Sequence, residues 1–378
     1  MVSCGSNHRQ QNVDAFFVIN LTQSLRSERA MMLSSIADTL EYIILETPRD
    51  IIITNLRQAI PVEQYLFVRA RGIVYQFYRN GQFVRQVGAI GQGPGEYVRA
   101  LTIYVDEQKR EVIVSDGARL LFYSFDGVFL RSQLPRVREF AISDSVIWEA
   151  FLPGSWQRYQ AMAFNANSSD TISYIANNNT YGQLRLSGAR IIHASGLTVP
   201  FYSHNGNVFF KGFEDNDTIW RLSGSVATPH AYISMGRHKL PIETMPGTAR
   251  FNHHGHNYWG VPMVFEDDNY FFLLLTRRNG PSHRTYVAFN KNERSGFIIR
   301  DENGIGITDD ILGGPNIKPR KSSNGYIVAF YEAFDLLESL ERGNHTPTVE
   351  FRRQLSMIDE EETNQLVILA RKNRNRQQ

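Results

Sequence analysis

Alternating apolar and polar positions, the pattern of half-buried β-strands, run through most of this chain. Turn signals such as Asp116-Gly117 and Asp126-Gly127 separate the alternating runs. The clearest group of four predicted strands is Leu101–Val105, Glu111–Ser115, Arg119–Phe125 and Val128–Arg131. Three further four-strand groups follow over residues 139–176, 198–234 and 261–300. The pattern therefore predicts an all-β protein built from repeated four-stranded sheets.

The first and last groups are less regular than the others. The first begins with an inner strand at Thr39–Leu45 and continues through runs at 50–54 and 64–69. The last has a strand at Tyr326–Tyr331, a helical pattern over Glu332–Arg342 and a closing apolar strand at Leu366–Ala370.

Two predicted hairpins repeat each other at a distance typical of propeller blades. Phe77–Arg85 and Tyr123–Arg131 share the pattern aromatic-x-x-[Asn/Asp]-Gly-x-Phe-aliphatic-Arg, and Gly81 and Gly127 are 127 − 81 = 46 residues apart. Asn-Gly and Asp-Gly favour hairpin turns with positive φ at both central positions. A repeat of about 40–50 residues is typical of a β-propeller. We expect one closed ring of six blades, or seven as the alternative, over residues 15–378. Phe16–Leu21 is expected to pair into the last blade beside Leu366–Ala370 and so remove an open edge.

A glycine-rich loop lies between the two hairpins. Its residues are Gly91, Gln92, Gly93, Pro94, Gly95, Glu96 and Tyr97. Three glycines and a proline exclude a helix or a sheet interior, so we expect a tight loop between one blade's outer strand and the next blade's inner strand. Gly93 and Gly95 should hold backbone shapes that favour glycine, Glu96 should accept backbone N–H bonds, and Tyr97 should pack as a plug. The loop is not a phosphate cradle, because Pro94 lacks an N–H and no lysine follows.

The run GQGPGEY at 91–97, with VIVSDG at 112–117 and FDGVF at 125–129, resembles the bacterial six-bladed β-propeller lipoproteins, relatives of the NHL-repeat propellers. Further similar stretches are IADTLEYIILET, DNDTIWRL and QLVILARK. The resemblance covers nearly the whole chain. It implies six blades and export, and it implies no particular activity, because fold alone does not determine function.

Cys4 is the single cysteine, so a disulfide within the chain and a cysteine-based metal site are excluded. Its setting, Met1-Val2-Ser3-Cys4-Gly5-Ser6, is similar to the end of a bacterial lipoprotein signal. We expect residues 1–14 to be a tether, Cys4 to be lipidated, and the precursor to carry an apolar signal before Met1. The protein would then lie at the cell envelope, facing the periplasm or the outer-membrane surface, with the lipid as its membrane contact.

Charge and candidate ligands narrow the chemistry. A net charge of +2 argues against a nucleic-acid partner. His253, His254 and His256 could supply imidazoles to zinc, but His253 would point away from the other two in an extended chain. Asp116 could hold calcium or act as a base, although a carboxylate in its own turn is the simpler interpretation. We therefore predict no cofactor, with calcium or zinc unsupported.

Two functions remain, and the first is favoured: a monomeric, non-enzymatic binding module that presents one loop face to a glycan, peptide or protein. The alternative is a metal-dependent lyase or lactonase at the mouth of the central channel, which requires matching inward-facing acidic or His residues from several blades. The expected ligand-binding residues combine arginines for acidic groups with aromatic rings for sugars. They are Arg71, Arg119, Trp156, Arg158, Arg277, Tyr258 and Trp259.

Overall fold

The computed structural model describes residues 16–49, 51, 53–133, 137–151, 159–176, 199–212, 217–239, 258–277, 284–358 and 365–372. Within these residues, six sheets with four antiparallel strands each form a ring. The predicted six-bladed β-propeller is confirmed, and the seven-bladed alternative is wrong.

The blades are numbered by the position of their innermost strand along the chain, and each is listed from the channel outward. Blade 1 consists of Leu56–Pro61, Tyr65–Ala70, Ile73–Tyr78 and Phe83–Val87. Blade 2 consists of Thr102–Asp106, Glu111–Ser115, Leu120–Ser124 and Phe129–Gln133. Blade 3 consists of Glu139–Ser143, Val146–Ala150, Tyr159–Asn165 and Thr171–Ala176.

The other three blades follow the same plan. Blade 4 consists of Phe201–His204, Asn207–Lys211, Thr218–Ser223 and Val226–Ser234. Blade 5 consists of Trp259–Glu266, Tyr270–Arg277, Arg284–Asn290 and Ser295–Asp301. Blade 6 consists of Lys321–Ser323, Tyr326–Glu332, Gln365–Lys372 and Ala37–Ile44. Blades 2 to 5 agree with the predicted strand groups to within a few residues.

Short elements complete the structure. Blade 6 carries the predicted helix, at Ala333–Arg342, followed by a second helix at Val349–Leu355. The remaining helical turns are Leu21–Ser24, Leu33–Ser35 and Gly236–His238. The remaining strands are Phe17–Asn20, Glu28–Arg29, Ala89–Ile90, Glu96–Tyr97 and Gly304–Ile305. Among the described residues, the helices are too short or too polar to cross a membrane.

Strand direction divides the ring into two faces. Successive strands of a blade alternate in direction, so the connections between blades and the turns from second to third strands share one face. We call it the upper face. The turns from first to second and from third to fourth strands share the lower face.

The ring is closed by Ala37–Ile44, which is the outermost strand of blade 6 and pairs antiparallel with Gln365–Lys372. The prediction that Phe16–Leu21 closes the last blade is therefore wrong, as is the placement of Thr39–Leu45 as an inner strand of blade 1. Phe17–Asn20 instead runs parallel to the outer strand of blade 4. Its alternation, with Ile19 buried and Val18 half exposed, suits the edge of any blade, so the sequence pattern does not identify its partner.

The inner strands of blades 1 and 6 were not predicted. The strand expected at 50–54 is not formed by the residues described there, and the inner strand of blade 1 is Leu56–Pro61. That strand contains Arg57 and Gln58, and the inner strand of blade 6 is the polar Lys321–Ser323. Both strands border the polar end of the channel, so they lack the apolar alternation that marks a strand covered on one side.

The hydrophobic core lies between neighbouring blades. Separate clusters fill the gaps between blades 1 and 2, 2 and 3, 3 and 4, and 6 and 1. A larger cluster joins blades 4, 5 and 6 with the N-terminal segment. This arrangement explains why apolar side chains occur on both faces of many strands, since each sheet is covered on both sides.

The two repeated hairpins are the turns from third to fourth strands in blades 1 and 2, but their backbone differs from the expected one. Gly81 and Gly127 have φ of +90° and +77°, while Asn80 and Asp126 do not have positive φ. Each hairpin also contains a register shift in its strand pairing. A turn followed by glycine at a bulge explains both observations, and it requires positive φ only at the glycine.

Candidate functional site

A cavity of about 320 Å³ opens at the centre of the upper face. Its walls come from the beginnings of the innermost strands, from the upper ends of neighbouring strands and from the start of the helix Ala333–Arg342. Among the described residues, the charged ones that line it are Arg57, Arg69, Arg284, Arg320, Lys321, Glu139, Glu332 and Asp335. Five of these eight side chains are basic, so the cavity has a cationic lining at neutral pH.

One group of charges lies where blades 1, 2, 3 and 6 meet. Glu139, the first residue of blade 3, accepts a hydrogen bond from Thr102 Oγ1 at 2.7 Å. Burial raises the pKa of Glu139, an effect opposed by this bond and by Arg69 and Lys321. Burial also lowers the pKa of Arg69 to about 10 and that of Lys321 to about 8. The two cations and the carboxyl group therefore share a poorly solvated wall of the cavity.

A second group lies between blades 5 and 6. Burial lowers the pKa of Arg284, and the neighbouring charge of Arg320 lowers it further. Arg320 Nη1 is buried and has no hydrogen-bond partner. Neither arginine forms a salt bridge with a carboxylate among the described residues, although Tyr286 and Tyr331 lie beside Arg320. Two adjacent guanidinium groups and an unsatisfied buried N–H are an arrangement that a bound anion would stabilise.

The predicted ligand-binding residues lie elsewhere. None of Arg71, Arg119, Arg277, Tyr258 and Trp259 lines the cavity. Trp259 is only 8% exposed, and the Arg277 guanidinium lies 4.9 Å from the centre of its ring. Trp259 therefore exposes little of its ring, and its part in ligand binding stays a prediction. Trp156, Arg158 and Cys4 lie outside the described residues.

Arg119 lies in the turn between the second and third strands of blade 2 and contacts the glycine-rich loop between blades 1 and 2. Its Nη2 donates hydrogen bonds to Glu96 O at 2.9 Å and to Gly93 O at 3.4 Å. Tyr97 is fully buried, and its hydroxyl donates to Val87 O at 2.9 Å and accepts from Val74 N at 3.1 Å. Tyr97 is therefore the plug that the sequence predicted, and Arg119 stabilises the loop through its two hydrogen bonds.

The loop residues Gly91, Gly93, Pro94, Gly95 and Glu96 fold around one carboxylate. Glu96 Oε2 accepts a hydrogen bond from Gly93 N at 2.8 Å, as expected. A Cβ at Gly91 would lie 2.0 Å from that oxygen. Gly95 has φ of +75°, and a Cβ there would lie 2.7 Å from Phe129 Cγ. Gly93 does not have positive φ. The requirement for glycine at this position therefore comes from the close contact with Glu96 and not from an unusual backbone conformation.

Other predicted polar residues act in turns. Asp116 Oδ1 accepts from Ala118 N at 2.8 Å and Arg119 N at 2.9 Å, which agrees with its interpretation as a turn residue. The three histidines 253, 254 and 256 lie outside the described residues. In the part of the chain that the structure describes, no three His, Cys, Asp or Glu side chains come together as metal ligands would.

A second buried polar cluster lies on the lower face between blades 4, 5 and 6. Glu266 is fully buried and contacts Tyr202 Oη at 3.0 Å, His230 Nε2 at 3.0 Å and Lys291 Nζ at 2.5 Å. Hydrogen bonds from His230 and the charge of Lys291 outweigh burial and lower the pKa of Glu266 to about 2. Phe17 packs on His230 with 6.0 Å between ring centroids. This cluster is closed and internally satisfied, so it holds the N-terminal strand to the ring.

The cavity residues were missed by the sequence interpretation because they are distant along the chain. One signal could have identified some of them: Arg57, Glu139, Arg320 and Lys321 lie at or just before the beginning of innermost strands. Charged residues at these positions meet at the channel mouth in any propeller. Arg69 and Arg284 carry no such signal, because their strands are second and third in their blades.

Comparisons with known proteins identify a family and proteins of similar structure. A family model described as a domain of unknown function (DUF4934) matches residues 16–371. A Bacteroides fragilis structure described as a candidate exported protein is 16% identical, with a TM-score of 0.66, and the match covers 95% of this chain and 100% of that one. A DUF4221 family member from Bacteroides vulgatus is 11% identical, with a TM-score of 0.48 and coverage of 88% and 96%. No curated protein matches.

Proposed function

The chain belongs to the family described as a domain of unknown function (DUF4934), and from that premise we propose that it is a non-enzymatic binding module of the bacterial cell envelope whose upper face binds an acidic glycan. The observation that supports the proposal is the cavity with Arg57, Arg69, Arg284, Arg320 and Lys321 in its walls. A carboxylate, sulfate or phosphate would accept charge-assisted hydrogen bonds from these groups.

The shape and rim of the cavity favour a sugar over a flat protein surface. A concave volume of about 320 Å³ suits a small ligand or one unit of a longer one. Phe334 lies between the cavity residues Glu332 and Asp335 along the chain and is 72% exposed. An exposed ring so close in sequence to the cavity residues would offer the apolar face of a sugar a surface to pack on.

The tether is the second part of the proposal. Cys4 would carry the lipid, with residues 5–14 linking it to the propeller. The support is the lipoprotein-like setting of Cys4 and the description of a protein with a similar fold as a candidate exported protein. Fatty-acid labelling of the native protein in bacteria should disappear in a Cys4→Ala variant. Labelling that persists in that variant would contradict the tether.

The binding experiment compares three probes by isothermal titration: a uronate oligosaccharide, its neutral counterpart and an acidic peptide. We expect the uronate oligosaccharide to bind and its affinity to fall with added salt, since exposed charges are screened over about 8 Å at physiological ionic strength. The double variant Arg284→Ala with Arg320→Ala should bind at least about tenfold more weakly, because each lost charged hydrogen bond is worth about 1.5–3 kcal/mol.

A matched pair on the lower face provides the control. Arg110 and Arg294 lie in lower-face turns, where they contact Phe125 and Phe17. Arg110→Ala with Arg294→Ala should leave the affinity unchanged. Equal losses from both pairs, or an affinity indifferent to salt, would overturn the proposal. If the acidic peptide binds more tightly than the uronate oligosaccharide, the ligand is a protein and not a glycan.

No specific observation favours the alternative of a metal-dependent lyase or lactonase. Such an enzyme requires similar ligands from several blades, and the innermost strands contribute unlike residues to the cavity, among them Leu56, Thr102, Glu139 and Phe201.

A further inference from the structure

Among the described residues that line the cavity, Lys321 is the one lysine. It is the first residue of the innermost strand of blade 6 and is half-buried. Its ammonium group forms no salt bridge with a described residue, whereas exposed Lys109 pairs with Asp106 at 3.5 Å. An amine that opens into a cavity without a carboxylate bound to it is available for chemistry with a ligand.

The groups around Lys321 favour the neutral amine. Arg69 adds a like charge on the same wall, Arg57 and Arg320 also line the cavity, and Glu139 is the facing carboxyl group. Burial, reinforced by Arg69 and opposed by Glu139, lowers the pKa of Lys321 to about 8. At neutral pH the fraction of free amine is then roughly 200-fold higher than for an ordinary lysine with a pKa of about 10.4. Desolvation and a neighbouring cation are the means by which proteins activate lysine as a nucleophile.

We propose that Lys321 captures an anionic carbonyl compound in the cavity as a reversible imine, with the reducing end of an acidic sugar as the ligand. The inference rests on the proposed function and identifies which part of an acidic glycan enters the cavity. A reducing uronate carries a carboxylate, which the arginines would bind, and an open-chain aldehyde, which the amine would attack.

The step needs no oxidant or reductant. The Nζ lone pair attacks the aldehyde carbon, a C–N bond forms as the carbonyl π bond breaks, and one proton passes from the nitrogen to the carbonyl oxygen, which gives a neutral carbinolamine. The nitrogen lone pair then forms the C=N bond while the carbon–oxygen bond breaks, and the hydroxyl group leaves as water with a proton from the Glu139 carboxyl group. Loss of the remaining N–H proton returns a proton to Glu139 and leaves the neutral imine. The raised pKa of Glu139 suits this exchange.

The test traps the imine by reduction. The purified protein is incubated with glucuronate and cyanoborohydride at pH 7.5, and modified lysines are identified by peptide mass spectrometry. Glyoxylate replaces glucuronate in a parallel arm, to separate a sugar ligand from a small 2-oxo acid. Methyl glucuronide, whose aldehyde is blocked, is the matched ligand control.

We expect Lys321 to be modified at least about tenfold faster than Lys109, whose side chain is 67% exposed, because of its larger free-amine fraction. Methyl glucuronide should give no adduct. Lys321→Arg should abolish the adduct while keeping the positive charge, Lys321→Met should abolish it as well, and Lys109→Arg should leave it unchanged. Melting temperatures identify any variant that does not fold.

Failure of this inference is distinguishable from failure of the proposed function. Modification spread equally over exposed lysines, or an unmodified Lys321 in a protein that binds glucuronate, would overturn the imine and leave acidic-glycan binding standing. A glyoxylate adduct at Lys321 without a glucuronate adduct would contradict the proposal that the carbonyl ligand is a sugar. Absence of any glucuronate binding by titration would overturn both.

Discussion

Gly95 combines two constraints on a single residue. Its φ is +75°, and the position of a Cβ there is 2.7 Å from Phe129 Cγ. We expect Gly95→Val to lower the free energy of unfolding by about 1–3 kcal/mol, since a residue with a side chain is strained in this conformation. Urea unfolding of the purified protein measures the change.

Gly206 is a control for Gly95, because it has the same kind of backbone conformation without the steric contact. Its φ is +74°, and no atom lies within 4 Å of its Cβ position. Gly206→Ala should therefore cost only the backbone term, about 1–2 kcal/mol, and Gly95→Ala should cost more. Equal costs for the two alanine variants would show that the structure relaxes to avoid the contact with Phe129. If Gly95→Val does not change the free energy of unfolding, the loop does not have the structural role assigned to it.

Glu149 is a buried acid that makes stability depend on pH. Burial raises its pKa to about 7 from 4.5, although the bond from Arg138 N and the charge of Arg138 oppose this. The unfolded chain thus releases this proton at a lower pH than the folded one, so the contribution to stability falls between about pH 4.5 and 7 and is fully lost above pH 7. Glu149→Gln should stabilise the protein by about 1–3 kcal/mol at pH 8 and by little at pH 4.5.

Melting temperatures of both proteins between pH 4.5 and 8 test this expectation, with Glu341→Gln on the exposed helix surface as the control. The difference between Glu149→Gln and the parent should grow with pH, while that for Glu341→Gln should stay flat. A difference for Glu149→Gln that does not change with pH would contradict the raised pKa.

The predictability of single residues depends on how local their partners are. Glu96 and Asp116 bond within their own turns, so their roles followed from turn chemistry. Arg69 and Arg284 reach the cavity only because the ring brings blades 1 and 5 to a common centre. Sequence spacing holds no information about that meeting without the strand assignment of every blade.

At the scale of strands, the same reasoning explains which strands were predicted from the sequence and which were missed. Blades 2 to 5 were predicted because their strands alternate and their turns contain Gly, Asn or Asp. The innermost strands of blades 1 and 6 were missed because Arg57, Gln58 and Lys321 face a polar channel. The partner of Phe17–Asn20 was also missed, because a short strand with one apolar face fits several edges.

The closing strand of blade 6 should carry far more stability than the strand added to blade 4. Ile43 is 4% exposed in the core between blades 6 and 1, whereas Val18 is half exposed on its short strand. Ile43→Ala should cost about 2–5 kcal/mol through lost burial and an unfilled cavity. Val18→Ala should change stability by about 0.5 kcal/mol or less. Urea unfolding checks both, and equal costs would contradict the assignment of Ala37–Ile44 as the closing strand.

At the scale of the whole molecule, the chain enters the ring on the face opposite the cavity. Phe17 lies 5.3 Å from Phe271 between ring centroids, and Lys291 Nζ lies 5.9 Å from the Phe17 ring. Phe271 lies near the lower end of its strand, and Lys291 lies in a lower-face turn. A lipid on Cys4 would therefore pull on the lower face and leave the cavity turned away from the membrane.

This geometry predicts that membrane attachment leaves ligand binding intact. The 16 − 4 = 12 residue steps from Cys4 to Phe16 can span up to about 40 Å, so the tether imposes no contact between cavity and membrane. Lipidated protein on zwitterionic vesicles should bind a uronate oligosaccharide with an affinity within about twofold of soluble Cys4→Ala protein. Zwitterionic lipid is used because a negatively charged vesicle surface would repel the uronate ligand and lower its local concentration. An affinity at least about tenfold weaker on vesicles would mean that the cavity faces the membrane, and the binding partner would then have to be sought among lipids.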